Sequence, residues 1–105
     1  MLFRSKESWY VWGWEFLLVK PYNQVETQEC IYRVFSEDVE SEELVWHRDR
    51  RDRLVKVIGG KNWKLQMENE LPFDLEEDES YFIPKETYHR ILKGKKDLVL
   101  EIVEQ

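Results

Sequence analysis

The chain has one cysteine, three prolines, four glycines and two histidines in 105 residues. A single Cys30 excludes an internal disulfide, is compatible with a reducing cytosol, and reads as a small buried side chain. No apolar run reaches the ~20 residues of a membrane span, and the first eight residues lack the apolar core of a signal peptide, so a cytoplasmic protein with no membrane partner is expected. Basic charge is also short. Sixteen Lys and Arg stand against 22 Asp and Glu, a net charge of -6, which argues against a nucleic-acid partner because a phosphate backbone needs basic surface.

What is present is aromatic and strand-like. Five Trp, five Tyr and five Phe favour strands, and the length fits one domain with one core. Residues 8 to 20 are apolar on both parities, which predicts a strand covered on two sides or facing a second copy; a homodimer is expected from it. Residues 28 to 35 alternate, placing Cys30, Tyr32 and Val34 on one face. Ser36 to Glu43 holds five acids in eight residues and reads as a solvated loop. Gly59-Gly60 reads as the turn after a strand over 53–58. Asn62 to Asn69 turns Trp63, Leu65 and Met67 one way, and Trp63 is the aromatic expected to border a ligand, with a core position as the alternative. Thr87, His89 and Ile91 share a face, as do Leu98, Leu100 and Ile102. Short strands with turns every eight to twelve residues indicate an all-β sandwich or barrel.

Both histidines lie in the segments Trp46 to Gly60 and Ile83 to Arg90. In extended chain His47 and Asp49 point the same way. A third ligand from another strand, such as His89, would put two imidazoles and one carboxylate on one side of a cation, a set that suits Fe(II) and accepts Zn or Mn. The spacing leaves open a second reading, two hydrogen-bonded histidines in a pocket without metal. On an unbroken strand Arg53 would share the parity of His47 and Asp49 and point into the cavity. Its planar charged head suits a carboxylate or phosphate ligand, or an internal ion pair with Asp49 or Asp52.

These segments resemble the two motifs of a small single-domain cupin. The first motif runs G-x5-H-x-H-x3-E-x6-G. His47 stands on its first histidine, Asp49 on its second, Arg53 on its glutamate and Gly60 on its closing glycine. In the second motif, G-x5-P-x-G-x2-H-x3-N, Asp78 and Glu86 occupy the glycines, Pro84 the proline, His89 the histidine and Lys93 the asparagine. Residues 11 to 15 are similar to the start of cupin domains of the mannose-phosphate isomerase type. The resemblance implies a double-stranded β-helix, a jelly-roll barrel, holding a divalent metal (Fe, Mn, Ni or Zn) through His47, Asp49 and His89. It also implies oxygenase, isomerase or lyase chemistry on a small polar metabolite, with Arg53 and Trp63 at the ligand. Arg53 cannot replace the fourth ligand of the family, because a guanidinium does not bind cations. A metal-free accessory cupin that binds a sugar or another small molecule is the alternative implication, and a purely structural barrel is the third.

Overall fold

The computed structural model describes residues 20–105; the expected aromatic strand and its dimer contact lie outside the described residues. Eight strands follow in order: β1 (Asn23–Glu26), β2 (Ile31–Phe35), β3 (Arg53–Lys61), β4 (Lys64–Met67), β5 (Phe73–Asp74), β6 (Ser80–Ile83), β7 (His89–Leu92) and β8 (Lys95–Glu104). The single helical element among the described residues is a 3-10 turn at Ser41–Glu43, within the acidic loop. No helix of the described residues is long and apolar enough to cross a membrane.

The strands form two sheets, ordered β1-β2-β8-β3-β6 and β5-β4-β7, with every pairing antiparallel. Alternation decides which face each strand turns inward. Val55 and Val57 on β3 are buried, as are Leu98, Leu100 and Ile102 on β8, and they meet Leu65 and Met67 of β4 across the core. Trp63 joins the layers. Its ring lies 6.2 Å from that of Phe35, and its indole N–H donates to the backbone carbonyls of Lys95 and Lys96 at 3.0 and 2.9 Å. A fully buried Trp needs such an acceptor, since an unpaired N–H in the core is costly.

Two local expectations are corrected, the burial of Cys30 and the turn at Gly59-Gly60; Cys30, Tyr32 and Val34 do share a face, but it is the outer one. On β2 the buried set is Ile31, Arg33 and Phe35, whereas Tyr32 is exposed and Cys30 is half-buried. Both parities of this strand are largely apolar, and the inward one is chosen by the packing of Ile31 and Phe35; Arg33 is carried inside with them. Cys30 instead sits near Thr27 and Glu101, with Sγ 3.8 Å from Thr27 Oγ1 and from Glu101 Oε2.

Gly59 and Gly60 are not a turn. They lie within β3, where its register against β8 shifts twice between Val57 and Lys61. Such irregularities bend a strand. Gly60 has φ 128°, and a Cβ there would come within 2.9 Å of the Leu98 side chain. The chain reverses two residues later, at Asn62 with φ 62°.

Gly94 closes the same corner from the other side. A Cβ on Gly94 would run into the backbone of Lys61, Asn62 and Trp63, which cannot move aside as a flexible side chain could. Gly94→Ala is therefore expected to lower stability by about 3 kcal/mol, at the upper end of the range for overpacking. Urea denaturation followed by Trp fluorescence checks this, and an unchanged midpoint would show that the corner is looser than described.

Candidate metal centre

The site begins with a backbone pair. His47 N–H donates to His89 O at 3.0 Å, and His89 N–H donates to His47 O at 2.8 Å. This reciprocal pair is an isolated antiparallel bridge, and it adds His47 to the free edge of the small sheet, beside β7. Residues directly opposite in an antiparallel pair turn their side chains to the same face, so the two imidazoles come together, with ring centroids 4.4 Å apart. From His47 the chain crosses to the large sheet at Arg53. Although this crossing is not continuous strand, the alternation survives where it matters: His47, Asp49, Arg53, Val55 and Val57 are all buried.

The crossing is held by the turn before β7. Glu86 N–H donates to Asp49 O at 2.7 Å, and Lys85 N–H donates to Asp52 Oδ1 at 2.8 Å. Glu86 and Asp78, the two positions where the cupin motif carries glycine, keep left-handed backbone, with φ 59° and 72°. Asp tolerates that conformation better than Glu does.

Each histidine is held in one tautomer. His47 Nδ1 lies 3.0 Å from Val45 O, and His89 Nδ1 lies 2.8 Å from Thr87 O. A carbonyl oxygen only accepts, so both Nδ1 atoms carry the proton. In the neutral rings Nε2 is left as the lone-pair donor, which is the arrangement that supports metal-ligating histidines.

Asp49 completes the group. One ligand atom from each of His47, Asp49 and His89 lies within 4.8 Å of the others, and all three residues are at most 6% exposed. Neither Asp49 oxygen accepts a hydrogen bond, although both are buried. Its neighbours are ionic: Oδ2 is 3.4 Å from His89 Nε2 and 3.4 Å from Arg53 Nη1, beyond ordinary hydrogen-bond length. Burial pushes the carboxyl pKa up, but His89, His47 and Arg53 pull it down more strongly and hold it well below the usual carboxylate range. A buried, ionised carboxylate with vacant lone pairs beside two Nε2 atoms fits a divalent cation.

The three residues line a cavity of about 40 Å³ between the sheets, space for a few waters or for an ion with a small ligand group. Much of the remaining wall is apolar, with Leu65, Leu75, Ile83 and Ile91 among its residues. Of the side chains expected at the ligand, Arg53 lines this cavity and Trp63 does not; Trp63 is a core residue at 0% exposure. Arg53 also faces Glu104, with Nε and Nη2 at 3.1 and 2.7 Å from Oε2, so its main partner is neither Asp49 nor Asp52.

Arg33, not singled out in the sequence, also lines the cavity. Its guanidinium lies 3.9 Å from the centre of the Tyr22 ring, and its Nε donates to Gln24 Oε1 at 2.8 Å. The signal for it was its parity with Ile31 and Phe35.

A cupin-2 domain protein from Shewanella frigidimarina superposes with a TM-score of 0.60 at 20% identity, over 90% of this chain and 92% of its own. The fold is that of the cupins. A protein from Ralstonia eutropha described as a candidate mannose-6-phosphate isomerase gives 0.59 at 18%, covering 79% of this chain and 81% of its own. The Fe(II) protein HppE, determined with its substrate, gives 0.60 at 14%, over 84% of this chain and 55% of that one. No protein-family model matches the chain, and no curated protein matches it by sequence.

The left-handed turn at Glu86 is testable through its backbone. Glu86→Ala and Glu86→Gly both remove the exposed contact of Arg48 Nε with Glu86 Oε1, 3.2 Å long, but only glycine relieves the conformation. Glu86→Gly should be the more stable of the two by about 1 kcal/mol. Equal stability in urea would mean that the turn carries no such strain.

Proposed function

We propose that this cupin is a divalent-metal protein, with His47 Nε2, His89 Nε2 and the Asp49 carboxylate as ligands, that acts on a small acidic metabolite. The observation that carries the reading is the combination at the triad: two Nδ1 atoms committed to backbone carbonyls beside a buried carboxylate whose oxygens accept no hydrogen bond. Two imidazoles and one carboxylate suit Fe(II), and also Mn, Ni or Zn. Among proteins of the same fold, HppE is an Fe(II) protein.

When bound, the metal would supply oxygen activation or polarisation of a carbonyl or hydroxyl, which is the chemistry of an oxygenase, isomerase or lyase. The protein's own share is to exclude water and to orient the ligand. A cavity of about 40 Å³ admits only a few heavy atoms, so the ligand is either very small or presents a small acidic end group. Arg33, at the cavity wall and stacked on Tyr22, offers that group a planar donor. Apolar side chains such as Leu65 and Ile91 would meet its carbon atoms.

A metal-free binding module is the second reading, favoured by one observation: Arg53 Nη1 approaches Asp49 Oδ2 to 3.4 Å and partly answers its charge. Homodimer formation remains part of the proposal, through the aromatic N-terminal segment.

Demetallated protein should bind Fe(II), Mn(II) or Zn(II) at one ion per chain by isothermal titration. His47→Ala, His89→Ala and Asp49→Asn should each weaken binding by more than about 100-fold, beyond the ~10–100-fold loss typical of supporting residues. Stoichiometric metal retained by all three variants would remove the triad as the site.

A further inference from the structure

The outer face of the large sheet is unusually apolar for a face turned to water. Residues opposite each other in antiparallel pairs share a face, and Leu54 on β3 stands opposite both Phe82 of β6 and Val103 of β8. Their sequence neighbours Val55, Ile83 and Ile102 are buried, so these three point outward as one row. Phe82 is 51% exposed and Leu54 38%. Ile58, on the same side of β3, is exposed as well. A sheet with one solvated face carries polar residues there, and contiguous apolar surface of this kind marks a contact.

Beside that row lies a pair of charges. Lys56 and Glu101 stand opposite each other in the β3–β8 pairing, next to Leu54 and Val103 on the same face. A two-fold axis lying in the face, along the seam between β3 and β8, places each of these strands over the other in a second copy. Leu54 then meets the partner's Val103, and Lys56 meets the partner's Glu101. Apolar residues lie on apolar residues and opposite charges on each other, which is the self-complementarity that a two-fold dimer requires. The size is sufficient. Five strands of four to ten residues give roughly 500 Å² in plan, at ~4.8 Å between strands and ~3.4 Å per residue. Two such faces bury about 1,000 Å², where specific interfaces begin.

We infer that this face is where two copies of the chain meet, with Leu54, Phe82 and Val103 as its apolar part and the Lys56–Glu101 pairs fixing its register. The inference rests on the homodimer part of the reading above and is independent of the metal. It places the contact on described strands instead of leaving it to the N-terminal segment. The charges select one docking, because a shifted one would set lysine or glutamate against valine and leucine without a partner.

The test is analytical ultracentrifugation of the full chain over a concentration series, with a thermal melt of each sample to confirm folding. Wild type should sediment at twice the 13.0 kDa chain mass. Lys56→Glu and Glu101→Lys should each weaken self-association at least tenfold, because each sets like charges together twice in the symmetric contact. An equimolar mixture of these two variants should recover the dimer, since every contact between the unlike copies then joins opposite charges. No rearrangement within one chain produces that recovery. Phe82→Glu, on the edge strand β6, should weaken the dimer to a similar degree, and it decides alone if a charge variant does not fold.

Wild type that stays monomeric throughout the series would remove the homodimer and the inference together. A wild-type dimer whose affinity is unchanged in the variants would overturn the inference and leave the homodimer to the N-terminal segment. Charge variants that dissociate but do not recover on mixing would overturn it too, because their effect would then not lie in a contact between copies.

Discussion

A carboxylate at 2% exposure has to be answered by positive charge, and in this protein that carboxylate is Asp49. Burial alone would drive it towards the neutral form, yet His89, His47 and Arg53 hold its pKa well below the usual range, so it stays ionised inside the barrel. The cations around it are not fully its own. Arg53 is shared with Glu104 on better terms, and the histidines offer Nε2 only when the ring is neutral. Neither Asp49 oxygen accepts a hydrogen bond, and a divalent ion is a group that would answer those oxygens with direct bonds.

Placing Asp49 there takes both sheets. The small sheet supplies the reciprocal His47–His89 backbone pair, and the large sheet supplies Arg53 and its opposite number Glu104. The intervening crossing is fixed by the amides of Lys85 and Glu86, which hold Asp52 and the Asp49 carbonyl. The apolar layers of β3, β4 and β8 keep these parts at constant separation. Glu86 occupies a left-handed conformation at the turn that supports Asp49, so local backbone strain sits where the site is assembled.

Much of this was legible from alternation. The parity of His47, Asp49 and Arg53, the inward sets Trp63, Leu65, Met67 and Leu98, Leu100, Ile102, and the all-β architecture follow from period-two patterning. What escaped depends on long-range register. Glu104 becomes the partner of Arg53 only because β8 pairs with β3 in one alignment, fifty-one residues away. Arg33 was not singled out, because the opposite parity of β2, with Tyr32 and Val34, is equally apolar and alternation alone does not say which face turns inward. The glycine pair at Gly59-Gly60 signalled a break in regular structure but not its kind: a bend inside β3 answers to the same residues as a turn. Trp63 showed its inward parity, but parity does not separate a core position from the lining of a small cavity.

The central claim is that a divalent ion occupies the space between His47 Nε2, His89 Nε2 and the Asp49 carboxylate. It is tested most directly by diffraction from crystals grown with Mn(II) or Fe(II), with data collected on both sides of the metal absorption edge. An anomalous peak about 2.0–2.2 Å from both nitrogens and a carboxylate oxygen is the predicted result. Anomalous density only at surface carboxylates, with Arg53 closed onto Asp49 in the cavity, would contradict it and leave a barrel that recognises its ligand by hydrogen bonds alone.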